Sequence, residues 1–283
     1  MAIFSLLKFS ISRNIGDDIQ SVAASQFWPS PHDYIDRDFL ASFHDERGMH
    51  VLLMNGYFLE NLHEWPPSKD IHPIFSGFHI ARKARHVMAR HRDYFKRYEP
   101  IGCRDLGTAS FLESLGIRTE LTYCATLTLP RRKRHPKNGK LVIVDCENIR
   151  IPKSVKKNYI LLTHRISPVH SHDVRTRMAR ELLDFYRDEA AVVVTTRIHC
   201  AMPCAAMGIP VIFFGNPSDY RQHVIREIGL EIHSYEMAKK SNPVSRIYSK
   251  RIDWSGQVVN VEDKGKRIKA FVNQKIQAFT SGK

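Results

Sequence analysis

The second half of the chain has the clearest pattern of apolar and polar positions. Two short apolar runs, residues 141–145 and 159–163, are typical of strands. After Ser171, apolar side chains recur at every fourth position. This spacing predicts an amphipathic helix with Ser171 as its N-cap.

The next segment adds a strand–helix–strand unit. Residues 191–195 are rich in β-branched side chains without polar alternation, which is typical of a strand buried on both faces. The sequence predicts an apolar helix over residues 198–207, ended by Gly208, and another strand over residues 210–214. Short connections between such elements imply a right-handed crossover and therefore a parallel sheet.

The first half follows the same plan less regularly. The predicted elements are strands at residues 3–9, 50–54 and 100–103, and helices over about 18–26 and 106–115. Asn55 and Gly56 form the turn expected to end the second strand, and Gly116 follows the second helix. A turn at residues 14–18 is expected to lead into the first helix. Together the two halves predict an α/β protein.

The net charge and its distribution along the chain indicate what kind of partner the protein binds. The chain has 283 residues with 43 Lys and Arg against 29 Asp and Glu, a formal net charge of +14. Seven basic residues and one acid lie in residues 81–97, and six basic residues without an acid lie in residues 131–140. Such an excess favours an anionic partner, which can be a nucleic acid, a membrane surface or a phosphorylated or carboxylated substrate.

The second basic run also suggests the domain organisation. Its Pro136 and Asn138-Gly139 are loop signals, so we expect residues 131–140 to link two α/β domains at 1–130 and 141–283. A C-terminal helix can return to the first domain. Five cysteines, an odd number without C-x-x-C spacing, favour a reduced protein of the cytoplasm.

Candidate chemistry lies where strands end. Thr196, Arg197 and His199 follow a predicted buried strand, at the edge where parallel sheets bind ligands. Arg197 offers two parallel donors to a carboxylate or phosphate, and His199 can exchange a proton near neutral pH. Arg104 is the corresponding anion clamp of the first half, with Asp105 as its orienter or as a helix N-cap.

Other residues give weaker signals. Asn14, Asp17 and Asp18 lie in a turn at a helix start that can face the same cleft, and His79 can line it. The short segment at 170–173 offers two histidines and one aspartate, but a loop-to-helix boundary explains them better than a metal, and no metal is predicted. Motifs for dinucleotides, P-loops, serine hydrolases and zincins are missing from the sequence.

Several short segments, in this order, make the chain similar to one known family. The chain resembles the polysaccharide pyruvyl transferases. The matching segments are NIGDD at 14–18, MNG at 54–56, IGCRD at 101–105, CATLTL at 124–129 and TTRIHC at 195–200. The resemblance implies two Rossmann-like halves that face each other across a cleft, as in GT-B glycosyltransferases.

The resemblance also implies an activity, the transfer of the enolpyruvyl unit of phosphoenolpyruvate to a sugar of a cell-surface polysaccharide as a ketal. His199 would then be the general acid/base, Arg197 and Arg104 would hold the two anionic ends of the donor, and Asp17 or Asp18 would accept a proton from the sugar. The remaining substrate-binding candidates are Asn14, Asn55, His79 and Thr196. Phosphoenolpyruvate is a substrate in this scheme, and neither a metal nor a nucleotide cofactor is needed.

Two alternatives stay open. A glycosyltransferase that uses a nucleotide sugar would have the same architecture, because fold does not determine function. A basic nucleic-acid-binding protein would explain the charge, but the sequence contains none of the usual recognition modules, and we expect no nucleic-acid partner. For the transferase, the expected acceptor is a sugar or a lipid-linked oligosaccharide. The basic runs would suit a cytoplasmic enzyme that binds the anionic inner membrane face, and the oligomeric state stays undetermined.

Overall fold

The computed structural model describes residues 2–29, 32–58, 61–155 and 158–282. The described part contains two sheets in which all neighbouring strands are parallel. The first has the order β2-β1-β3-β4-β5-β6, and the second has the order β11-β10-β9-β7-β8. The strands are β1 (Ile3–Lys8), β2 (Asp33–Asp36), β3 (His50–Phe58), β4 (Ile71–Ile80), β5 (Ile101–Cys103), β6 (Thr119–Leu121), β7 (Lys140–Val144), β8 (Tyr159–Leu162), β9 (Ala190–Thr195), β10 (Val211–Gly215) and β11 (Ile232–Ser234).

Helices connect and cover these strands. They are α1 (Ile15–Ala24), α2 (Arg85–Arg90), α3 (Arg92–Lys96), α4 (Leu106–Ser114), α5 (His172–Glu189), α6 (Ile198–Ala206), α7 (His223–Glu227), α8 (Tyr235–Ala238), α9 (Ser245–Lys250) and α10 (Glu262–Thr280). None of the helices in the described residues is long and apolar enough to cross a bilayer. The predicted α/β class is confirmed: the protein consists of two Rossmann-like halves that face each other across a cleft.

The two halves share part of one apolar core. Ile19 of α1 lies in the same buried cluster as Ala201 and Met202 of α6, so the first helix of one half packs on the second half. At the chain end, α10 lies against the first sheet, where Lys275 Nζ donates a hydrogen bond to the carbonyl oxygen of Tyr98.

Two local predictions are wrong. Helix α1 begins at Ile15 rather than near Asp18, because the side chain of Asn14 accepts a hydrogen bond from the Gly16 amide and caps the helix one turn earlier. Strand β3 does not end at Asn55 and Gly56 but continues to Phe58 through an irregularity in its pairing with β4. Asn55 and Gly56 therefore remain within β3 instead of forming a turn, and the extra residue lies in β4, where Ser76 and Gly77 stand opposite Asn55.

The second basic run contains neither helix nor strand before Lys140 starts β7. It does not extend freely into solvent. The guanidinium of Arg132 is buried and donates a hydrogen bond of 2.6 Å to the carbonyl oxygen of Ala190. Arg131 packs on Gly208, at the end of α6. The segment thus lies against the second half.

Candidate active site in the cleft

A cleft of about 560 Å³ separates the carboxyl ends of the two sheets. Its walls come from segments that follow β1, β2, β5, β8, β9 and β10, and from Tyr57 near the end of β3. Ligands of parallel α/β sheets bind at this edge. The residues that line it are Ile11, Ser12, Arg13, Asn14, Asp17, Arg37, Tyr57, Arg104, His164, Thr196, Arg197, Ile198, His199, Asp219, Arg221 and Gln222.

The charge of this lining is positive. Five of the lining residues are arginines, and two, Asp17 and Asp219, are aspartates. Both aspartates contact arginines: Asp219 pairs with Arg221 at 2.8 Å, and Asp17 lies 3.8 Å from Arg37. The remaining positive charge favours an anionic ligand in the cleft.

Arg197 stands at the start of α6 and is held by one carboxylate. Its Nε donates a hydrogen bond of 2.6 Å to Asp145, and its backbone amide donates to the hydroxyl of Thr195. A single bond through Nε fixes the guanidinium while its two terminal amino groups remain for a ligand. The first free amides of α6 lie at the same place, because Ile198 and His199 also line the cleft.

Asp145 is itself tightly constrained. It follows β7 with a φ of 52°, a left-handed conformation that is unfavourable for a residue other than glycine. Burial disfavours its charge, but hydrogen bonds from the Thr163 hydroxyl, the His164 amide and Arg197 outweigh burial and lower the pKa of the Asp145 carboxyl. Asp145 is therefore a permanent anion that orients Arg197.

Arg104 approaches the cleft from the first half. Its side chain is almost completely buried, and its Nε lies 3.6 Å from Asp105, too far for a hydrogen bond. Asp105 accepts a hydrogen bond of 2.9 Å from the Thr108 amide and so caps α4, as predicted. Among the described residues Arg104 Nε has no hydrogen-bond partner. A buried cationic donor without a partner needs an explanation, and an anionic ligand would supply one.

His199 lies one residue into α6, where the backbone leaves helical geometry. Burial first, and then the positive charge of Arg104, hold the pKa of His199 well below its ordinary value. The imidazole is therefore neutral at pH 7, and its Nε2 has no partner within the described chain. The Cβ of His199 approaches the first turn of α1 at Gly16, where a side chain would come within 3.0 Å of it.

Asp17 and Asp18 are neighbours in sequence but occupy different environments. Asp17 lines the cleft and accepts a hydrogen bond of 2.6 Å from the Ser12 hydroxyl. Asp18 points away into a buried ion pair with Arg175 of α5, with nitrogen–oxygen distances of 2.7 and 3.1 Å. Of the two acids, only Asp17 belongs to the cleft lining.

Asn55 and His79 lie behind the lining rather than in it. Asn55 is buried and its side-chain oxygen accepts a hydrogen bond from the Ala125 amide. His79 is fully buried, hydrogen bonds through Nδ1 to Asp105 and stacks between the rings of Tyr57 and Tyr220. By contrast, Asn14 and Thr196 do line the cleft.

Several lining residues were not predicted from the sequence. Arg37 follows β2, which was not predicted, and Arg221 lies in the short 3₁₀ helix Tyr220–Gln222 after β10. His164 follows the predicted strand β8, and its Nε2 lies 2.8 Å from the Tyr186 hydroxyl. The end of β8 was the one available signal, because a polar residue after a buried strand is a candidate at this edge.

One group in the described chain has the composition of a metal site, Asp33, Asp45 and His50. It lies outside the cleft lining. Arg47 forms ion pairs with both carboxylates, so a cation is already present where a metal would bind. This group therefore does not point to a metal centre.

Comparison with known proteins agrees with this architecture. A model of the family described as polysaccharide pyruvyl transferase matches residues 76–218, half of the chain. A search of curated proteins finds no match. A solved structure of a functionally uncharacterised protein from Klebsiella pneumoniae subsp. pneumoniae is similar with a TM-score of 0.50 and 16% identity, covering 82% of this chain and 93% of that one. At that identity the likeness concerns the fold alone. The matched residues include Arg104, Arg197 and His199, and the chain belongs to the polysaccharide pyruvyl transferase family.

Proposed function

We propose that the protein transfers the enolpyruvyl unit of phosphoenolpyruvate to a sugar of a cell-surface polysaccharide, as a ketal, with release of phosphate. One observation carries this proposal: Arg104 from the first half and Arg197 and His199 from the second half line one positively charged cleft. Family membership makes a transferase of this type the expected activity.

The donor has two anionic groups, a carboxylate and a phosphate, and the cleft offers two separate sites for them. Arg197 and the first amides of α6 form one site, and Arg104 forms the other. Arg104 has no hydrogen-bond partner at Nε in the described part of the chain, so a bound anion would satisfy a buried donor whose neighbouring carboxylate, Asp105, lies 3.6 Å away.

Transfer begins with protonation of the methylene carbon of the donor. A sugar hydroxyl adds to the adjacent carbon, phosphate leaves, and a second hydroxyl closes the ketal. Protons balance, because one hydroxyl proton replaces the proton delivered to carbon and the other leaves on hydrogen phosphate. His199 is the group proposed to carry the proton, and the negative charge of the bound donor would raise its pKa from the low value of the empty cleft.

Asp17 is the proposed acceptor for the proton of the attacking hydroxyl. It lines the cleft, whereas Asp18 has both carboxylate oxygens bound by Arg175. Because Asp18 does not line the cleft and its oxygens face Arg175, a hydroxyl bound in the cleft would meet Asp17 instead. No step of this scheme uses a metal or a nucleotide.

Donor binding tests the proposal directly. We expect phosphoenolpyruvate, without a nucleotide, to raise the melting temperature, since a ligand of the native state stabilises it by about 2.7 kcal/mol at a hundredfold excess over Kd. Incubation with phosphoenolpyruvate and candidate sugars should then release phosphate and add the mass of a pyruvyl group to the acceptor. A shift with UDP-sugars but not with phosphoenolpyruvate would instead support a glycosyltransferase.

A variant of His199 tests the proton step. His199→Gln should keep the fold and the phosphoenolpyruvate shift, and lower turnover by ~10²–10⁴-fold, the usual contribution of general acid–base catalysis. His170→Gln is the matched control, because His170 is exposed and lies outside the cleft lining. Equal turnover in the two variants would remove His199 from the mechanism.

A further inference from the structure

A second cavity of about 470 Å³ opens from the cleft toward solvent between the two halves. We call it the cleft mouth. It shares Tyr57, Asp219 and Arg221 with the cleft, and Arg82, Lys83 and Tyr220 form most of the rest of its charged and aromatic wall. Among the described residues of this lining, Arg82, Lys83 and Arg221 are basic and Asp219 is acidic, and they lie along the path by which a ligand would reach Arg104 and Arg197.

The guanidinium of Arg82 stacks on an aromatic ring at the cleft mouth. It lies over the ring of Tyr220 at 4.2 Å, and the backbone amide of Arg82 donates a hydrogen bond of 3.1 Å to the Tyr220 hydroxyl. The ring of Tyr220 also stacks on the buried His79, with the ring centroids 5.8 Å apart. Arg82 is exposed and forms no ion pair within 4 Å in the described residues; its acidic neighbour Asp219, whose pKa is lowered by Arg221 first and also by the Arg82 charge, is paired with Arg221 at 2.8 Å. A stacked guanidinium presents its donor groups at the edge, in the geometry that binds phosphate.

The positive charge continues from the mouth along the outside of the first half. Arg85 Nη2 donates to the Gly107 carbonyl at the start of α4, and Arg92 Nε donates to the Leu115 carbonyl just after its end. The basic run of residues 81–97 thus follows the length of α4 away from the cleft, over helices α2 and α3. Clustered charge of one sign raises the local concentration of oppositely charged ligands and guides them inward.

We propose that the acceptor of this transferase is a sugar that carries a phosphate or diphosphate ester, and that this group binds at the cleft mouth between Arg82 and Arg221. The sugar then extends inward to the donor, and the phosphate stays outside. The inference rests on the proposed function, because it assigns the second substrate of that reaction. A neutral sugar could accept hydrogen bonds from Arg82 but would leave its charge without an ion-pair partner, whereas a phosphate supplies both, and the donor anions have Arg104 and Arg197 deeper in the cleft.

Binding to the protein saturated with phosphoenolpyruvate tests this assignment, because the donor site is then occupied. The probes are glucose 1-phosphate and inorganic pyrophosphate, with methyl glucoside as the neutral comparison, titrated calorimetrically at low and raised salt. We expect both phosphate probes to bind, more weakly as salt rises, and methyl glucoside to bind at least tenfold more weakly. Arg82→Gln should weaken the phosphate probes roughly tenfold or more and leave the Kd of phosphoenolpyruvate unchanged.

The matched control is Lys133→Gln, which removes one positive charge from the exposed part of the other basic run. Equal effects of the two variants would mean that net charge alone matters, and would overturn the proposal. Loss of phosphoenolpyruvate binding in Arg82→Gln would assign the mouth to the donor, which also overturns it. A third outcome is that neither phosphate probe binds, while the wild type binds anionic vesicles and Arg82→Gln does not. The mouth would then be a membrane contact, which also overturns the proposal. If phosphoenolpyruvate does not raise the melting temperature of the wild type, the proposed function itself fails. That result is distinct from a failure of the phosphate probes to bind.

Discussion

Arg197 is fixed by one carboxylate and still has donor groups for a ligand. Its Nε is bound to Asp145, so the plane of the guanidinium is set before any substrate arrives. Arg197→Lys keeps the charge but loses both the bond to Asp145 in this geometry and the paired donors. We expect turnover to fall by about two orders of magnitude or more, because a preorganised charge-stabilising donor is worth that much in catalysis.

Steady-state phosphate release and a melting curve measure this prediction together. The side chain of Arg197 is 31% exposed, so its replacement should change the melting temperature little. Arg177→Lys, on the exposed face of α5, is the comparison that makes the same chemical change outside the cleft. Near-normal turnover in Arg197→Lys would reduce Arg197 to a structural role.

Elements with a strong apolar pattern could be predicted from the sequence, and those set by tertiary contacts could not. Strand β9, helix α6 and the N-cap at Ser171 follow directly from local pattern. Strand β3 continues through Asn55 in pairing with β4, and the Asn55 side chain accepts a hydrogen bond from Ala125, seventy residues further along the chain; no local pattern contains either contact. The same distinction applies to the candidate site. Arg104, Arg197 and His199 could be predicted because they follow predicted strands, whereas no sequence pattern indicated Arg37 or Arg221.

The contact between α1 and α5 explains why one of two adjacent acids is structural. Asp18 and Arg175 are both buried. Burial raises the pKa of the Asp18 carboxyl by more than the contact with Arg175 lowers it. Asp18→Asn removes one partner of this pair and leaves a buried guanidinium charge. We expect the free energy of unfolding to fall by about 3–5 kcal/mol.

Urea unfolding measures this loss, and phosphate release per folded molecule should stay close to that of the wild type. Asp17→Asn is the paired control on the same helix turn, and there we expect the reverse, with a lower turnover and a smaller loss of stability. A catalytic defect in Asp18→Asn at full folding would show that Asp18 takes part in the chemistry after all.

In the described residues, polar contacts join the two halves around the cleft in addition to the Asp18–Arg175 ion pair. Backbone bonds join residues 13–15 to residues 164–166, where the Ile15 amide donates to His164 and the Ile166 amide donates to Arg13. Tyr220 of the second half stacks on His79 of the first. Glu227 at the end of α7 accepts a hydrogen bond from the Leu106 amide at the start of α4. The width of the cleft therefore depends on small polar contacts as well as on the shared core.

The Glu227 contact makes the stability of the joined halves depend on pH. Burial, with a smaller effect of the Asp105 charge, raises the pKa of Glu227 from 4.5 to about 7, and its Oε2 has no partner in the described chain. Native Glu227 is therefore protonated between pH 4.5 and 7, where the same group in the unfolded chain is already ionised. Since the native state then binds more protons than the unfolded state, the stability that this group contributes is present below pH 4.5, declines up to about pH 7 and is gone above it.

Glu227→Gln cannot ionise and should lack this pH-dependent contribution to stability. The wild-type urea midpoint minus that of the variant should therefore decrease from pH 4.5 to 7 and then level off. Glu181→Gln, at an exposed position of α5, should follow the wild type at every pH. A constant difference between wild type and Glu227→Gln across this range would show that Glu227 is ionised in the native protein throughout.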